Sequence, residues 1–242
     1  MPGSDSGCEI KVLDLIKTND LNNPMTMDIA NTTAHKLLLT AERLFAEEGL
    51  DALSIRRISA EAGQRNNSAL QYHFGSKDAL LEALLEYRQG PINRRRVALL
   101  EGLQAQGRTT EVSALIEAMV LPYLELLAGD TQDSYYLSLV SQLHSQQRQA
   151  LMFDTGRERG HSLRLLSEWL TLALAPLPAD CCHLRQELAS LTLVHTAAMW
   201  AHQRRLAGRP WSQRQLAERT GQLVDFLVGA LQAPASDMID NN

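Results

Sequence analysis

Three glycines divide the stretch from Thr33 to Gly75 into pieces too short to be anything but small helices. Leu37, Leu38, Ala41, Leu44 and Phe45 recur at the spacing of one helix face. Gly49 stops that helix. Ser54 suits the N-cap of a second, short helix with Ile55, Ile58 and Ala62 inward, and Gly63 closes it. The polar turn Gln64-Arg65-Asn66-Asn67 then leads to a third helix over about Ser68 to Phe74. Gly75 ends it, and Ser76 caps the next helix with Asp78 in its first turn. Two short helices joined by a tight glycine-containing turn, after a longer one, form the pattern of a helix-turn-helix.

The third helix is crowded with hydrogen-bonding side chains. Leu70 and Phe74 provide an inward side, while the rest offers donors and acceptors of the kinds that suit base edges and phosphates. A solvated polar face would look similar. Net charge is −5, but it is unevenly spread. Residues 34–96 hold 10 basic and 8 acidic side chains, and the remainder holds 13 and 20. Only the early region is suited to a polyanion.

The segments AERLFAEEGLDALSIRRISAEAG and SALQYHFGSKDALLEALL carry the specific pattern. Over residues 33–85 they resemble the N-terminal domain of the TetR/AcrR family of transcriptional regulators. Two departures stand out: Gln71 occupies a place where the family commonly has Tyr, with Tyr72 following, and the turn before the third helix is one residue longer. The resemblance implies an all-α protein that binds double-stranded DNA at a near-palindromic operator as a homodimer. It also implies a small-molecule effector held in a larger C-terminal helical domain. On this reading Asn66, Asn67, Ser68 and Gln71 enter the major groove, and Tyr72, His73 and Lys77 hold phosphates. Ser54, Arg56 and Arg57 add backbone contacts, with Thr33 and His35 as weaker candidates.

The expected organisation is a flexible arm over 1–30, a DNA-binding domain over 31–76, a ligand-binding and dimerisation domain over 77–234, and a tail over 235–242. Met25 and Met27 are alternative starts. A long helix starts at Lys77, with an interruption expected at Gly90-Pro91. The basic run Arg94-Arg95-Arg96 reads as a solvated face, with a contact to the DNA-binding domain or a partner as the alternative. Further helices are expected at about 111–127, 133–152, 157–174, 180–206 and 212–231, the last opened by a capping box at Ser212 and Gln215.

Within that larger domain Tyr123, Tyr136, His144, Trp169 and Met199 are the leading effector-cavity candidates, with Tyr135, Met152, Phe153 and Trp200 behind them. Such side chains suit a mostly apolar cavity, and hence an apolar or amphipathic ligand. Leu191, His195, Leu223 and Phe226 are the dimer-face candidates on the last two helices.

Enzyme signatures for nucleophilic, nucleotide-dependent and metalloprotease chemistry do not occur, and no catalytic residue, metal site or cofactor is expected. His195 and His202 are two turns apart, too far to share a metal without a third ligand. Cys8, Cys181 and Cys182 show no disulfide framework, which fits a reducing cytoplasm, and no apolar run suggests a membrane span. The alternative reading is a helical ligand-binding or adaptor protein whose N-terminal domain contacts another protein.

Overall fold

The computed structural model describes residues 33–129, 135–146 and 160–235, and every regular element among them is a helix. The expected arm, Cys8, Met25, Met27, Met152, Phe153 and the tail beyond 235 lie outside the described residues.

The N-terminal head is made of α1 (Thr33–Glu48), α2 (Ile55–Glu61), α3 (Ser68–His73) and the start of α4 (Lys77–Ala105). Helix α1 buries Leu37, Leu38, Ala41, Leu44 and Phe45, against Ile58 of α2 and Leu70 of α3. Ser54 caps α2 by accepting from Arg57 N at 3.2 Å, and Ser76 caps α4 by accepting from Ala79 N at 3.1 Å. Gly75 takes φ +78°, a left-handed turn that a side chain would strain, and so swings the chain from α3 into α4. Phe74 is half-buried at the end of α3 rather than fully in the core.

Helix α4 is continuous for 29 residues and passes through Gly90-Pro91 without a break. The interruption expected there does not occur. An interior proline costs about 3 kcal/mol. Buried Leu84, Leu85, Ile92 and Leu100 on either side contribute about 1.5–3 kcal/mol each and offset it. Long-range pairs also hold the helix on both sides of the proline. Arg88 grips Glu42 of α1 in a buried two-point ion pair at 2.7 and 3.0 Å. Arg95 Nε donates to both carboxylate oxygens of Glu125 at 3.0 and 3.2 Å. The basic run is therefore solvated only at Arg94, which is exposed: Arg95 is partly buried, and Arg96 is wholly buried.

Helix α5 (Val112–Leu124) is apolar nearly all round and is the central helix of the body. A 3₁₀ turn (Glu125–Leu127) follows. Helices α6 (Tyr135–Ser145), α7 (His161–Ala173), α8 (Ala179–Ala207) and α9 (Gln213–Gln232) complete the described body. Helix α4 packs on α5 and α7, α5 on α7 and α9, and α8 on α6 and α9. The expected capping box opens α9, with Ser212 Oγ and the Gln215 side chain each accepting from the other's backbone N–H.

Head and body meet where α6 lies along α1. Gln142 Nε2 donates to the Ala46 carbonyl at 2.9 Å, from the body to the last turn of α1. No helix among the described residues is long and apolar enough to cross a membrane.

Candidate functional site

Helix α3 turns Leu70 fully inward, and that single anchor decides what faces out. Ser68, Gln71, Tyr72 and His73 are exposed together, with Tyr72 86% accessible. His73 meets the Tyr72 ring edge-on, its centroid 5.1 Å away. Asn66 Oδ1 accepts from Ser68 N at 3.0 Å, so Asn66 caps the helix with its side chain. That cap pins the Asn66 side-chain oxygen to the protein. Asn67 sits at the N-cap position without a capping bond of its own side chain.

Other expected contacts are already engaged within the protein. Lys77 Nζ donates to the Leu50 and Leu53 carbonyls, both at 3.0 Å, and so ties α4 to the loop between α1 and α2. Arg57 pairs with Glu61 at 2.9 Å and with Glu48 at 3.3 Å. Arg43 joins the same network through Glu61 and Glu47, and its guanidinium holds the Glu61 carboxyl below the ordinary range. Glu47 and Glu48 are thus each paired with an arginine. Exposed pairs of this kind are screened by water and contribute little, so they order the head more than they stabilise it. His35 Nε2 lies 3.0 Å from the Tyr87 hydroxyl and faces α4. Arg56 is exposed, as is Arg65 in the turn, a cation to which the sequence pattern assigns no role.

A cavity of about 300 Å³ opens between α5, α6, α7 and α8. Of the expected lining residues Tyr123 and His144 are in its wall. Burial, helped by His195, holds the His144 imidazole below its usual pKa and so favours the neutral form. Tyr136, Trp169 and Met199 are not in the wall. Tyr136 is completely buried, Trp169 packs half-buried against the core, and Met199 faces outward. Helical spacing alone does not single out Ser167, His183, Gln186, Glu187 and Ser190, because polar residues on a helix look solvent-facing; Ser167, Gln186 and Ser190 are partly covered here, while His183 and Glu187 remain exposed. Ser167 donates to Gln186 at 2.6 Å, and Gln186 donates to Thr171 at 3.0 Å, a polar rung between α7 and α8.

The outer side of α8 and α9 remains apolar. Leu184, Leu188, Met199 and Leu206 on α8, and Phe226 on α9, are all more than half exposed. Leu191 is half-buried, and His195 is exposed with its Nδ1 2.7 Å from Ser141 Oγ. Leu223 is buried within the chain itself, because it packs beneath this surface rather than on it. No cluster of His, Cys, Asp or Glu among the described residues could hold a metal.

Residues 37–84 match a family model described as bacterial regulatory proteins, tetR family. Residues 117–230 match a second, described as tetracyclin repressor-like, C-terminal domain. No curated protein matches the chain. Among solved structures, one described as a TetR-family transcriptional regulator from Rhodococcus sp. is 16% identical, with 81% of this chain and 98% of that chain covered and a TM-score of 0.48. Salmonella enterica GusR is 18% identical, with 89% and 100% covered and a TM-score of 0.43. A TetR-family regulator from Streptomyces coelicolor A3 is 23% identical, with 82% and 96% covered and a TM-score of 0.29.

Proposed function

Because the chain belongs to the tetR family of bacterial regulatory proteins, whose members are DNA-binding regulators and not enzymes, we propose that it acts as a homodimeric repressor. A small molecule in the cavity between α5 and α8 releases it from a near-palindromic operator. Ser68, Gln71, Asn67 and the Asn66 amide read base edges. Tyr72, His73, Ser54 and Arg56 hold phosphates. Lys77 positions the head, its ammonium adding positive charge near the backbone. The apolar outer surface of α8 and α9 pairs the two protomers, which sets the separation of their α3 helices. The lining favours an amphipathic effector, with apolar Met119, Leu166 and Leu170 beside polar groups.

One observation carries this reading. Helix α6 places His144 in the cavity wall and, two residues earlier, bonds Gln142 to the last turn of α1. A ligand that moves α6 therefore moves the head directly. Gln142→Ala should leave operator binding by the free protein largely unchanged. It should remove about 0.5–2 kcal/mol of the coupling between cavity and operator, read as operator titrations with and without a releasing ligand. Coupling of unchanged size would exclude this contact as the link.

Gln71→Ala should cost about 1–3 kcal/mol at one base pair of each half-site. Binding to a set of single-substituted operators distinguishes this from a uniform loss, which would make Gln71 a backbone contact. The proposed function itself is tested by footprinting the DNA upstream of the protein's own gene. Two protected half-sites about one helical turn apart, or a multiple of it, support a paired reader. A single short footprint, or random protection, would contradict it.

A further inference from the structure

Three arginines of α4 reach into the protein, and only two have a carboxylate. Arg88 has Glu42, and Arg95 has Glu125. Arg96 is fully buried, and its two hydrogen-bond acceptors are both neutral: Nη1 donates to Asn93 Oδ1 at 3.1 Å and to Ser162 Oγ at 3.2 Å. Its Nε and Nη2 have no hydrogen-bond partner. The guanidinium lies 5.7 Å from the centre of the Tyr123 ring, a partial electrostatic substitute for an anion. An arginine keeps its charge inside a protein, so an unpaired buried guanidinium is among the least favourable groups a core can hold.

Its place gives it a use. Tyr123 is in the cavity wall, and Ser162 precedes Leu163, which is also in that wall. Arg96 therefore stands directly behind the lining, one side chain from the ligand space. We propose that the cavity takes a small organic acid, whose anionic group reaches the Arg96 fork between Tyr123 and the start of α7 and supplies the missing counter-charge. The proposal rests on the effector reading above and names the chemical class of the ligand. A planar fork with two free donors fits a carboxylate with two oxygens. The cavity's volume of about 300 Å³ limits the acid to a small one. Among the described residues the cavity's one lining carboxylate, Glu187, is on the exposed side of α8. The acid's apolar part lies against Met119, Leu166 and Leu170.

The test is thermal unfolding of the full chain with benzoate, phenylacetate, 4-phenylbutyrate and octanoate, each beside its uncharged primary amide. At least one acid should raise Tm by about 5–10 °C at about a hundred times its Kd, while its amide does not. Arg96→Met should abolish that shift. The Tm of the free variant should stay level or rise by about 2–4 °C, since an unpaired buried charge has been replaced by a side chain that packs. Should Arg96→Met fail to fold, Arg96→Lys decides: it keeps the charge and loses the fork, so the acid shift falls by about half or more. Equal shifts with acids and amides, silence with all four acids, or an acid shift that survives these substitutions would overturn the proposal. Operator anisotropy on the same samples separates the two readings. Release by amides alone preserves the effector reading and rejects the acid. Arg96-dependent acid binding that leaves the operator bound preserves the acid site and rejects the effector reading.

Discussion

Phe226→Asp is expected to yield a monomer that binds its operator about 10²–10⁴-fold more weakly. Phe226 is 62% exposed on α9, on the apolar outer surface that includes Leu188 and Met199 of α8. Burying such a ring contributes about 1.5–3 kcal/mol. In a two-fold interface each change is made twice, and a carboxylate introduced there must be desolvated on both sides. The heads would be intact, because α3 and its Leu70 anchor are in the N-terminal part of the chain. The loss would arise from uncoupling two half-site contacts that otherwise share one effective concentration. Light scattering reads the mass, and anisotropy with a two-half-site duplex reads the affinity. A variant that remains a dimer with parental affinity would place the interface elsewhere.

Arg88→Ala should destabilise the protein by about 3–5 kcal/mol, because it strips the buried Glu42 carboxylate of its two-point guanidinium partner. Glu42 is only 1% exposed, so water reaches almost none of it. For a chain of this size the loss corresponds to a fall in Tm of about 6–20 °C. Removing both charges, with Glu42→Gln beside Arg88→Met, should cost clearly less than removing the arginine alone. That non-additivity, measured as a double-mutant cycle, separates a buried ion pair from simple loss of packing. A double variant whose cost equals the sum of the two single costs would show that the pair itself contributes little.

The head was legible because its signals are local. Ser54 and Ser76 cap helices three residues away, and Gly75 marks a turn that only its own backbone angle requires. Leu70 and Ile58 fall on the face their spacing indicates. What escaped the sequence depends on partners far along the chain. Lys77 is within hydrogen-bonding distance of carbonyls 24 and 27 residues earlier. Arg95 finds Glu125 30 residues on, and nothing near Pro91 announces that packing will carry α4 through it. A run of three arginines looks solvated by composition, yet Arg96 is at the hub of α4, α5 and α7. The cavity lining was half legible for the same reason. Tyr123 and His144 stood out by size and polarity, whereas Ser167 and Gln186 gain meaning only when α7 meets α8.

The central claim, that α3 reads DNA as one of a pair, is tested most directly by fluorescence anisotropy. The full-length protein would be titrated into its own upstream duplex and into a scrambled duplex of equal length, across a salt series. Tight binding of two subunits per site is expected, specific to the native duplex. Its log affinity should fall linearly with log salt, by about 0.9 per phosphate neutralised. Weak binding of equal strength to both duplexes, at every salt concentration, would contradict the claim.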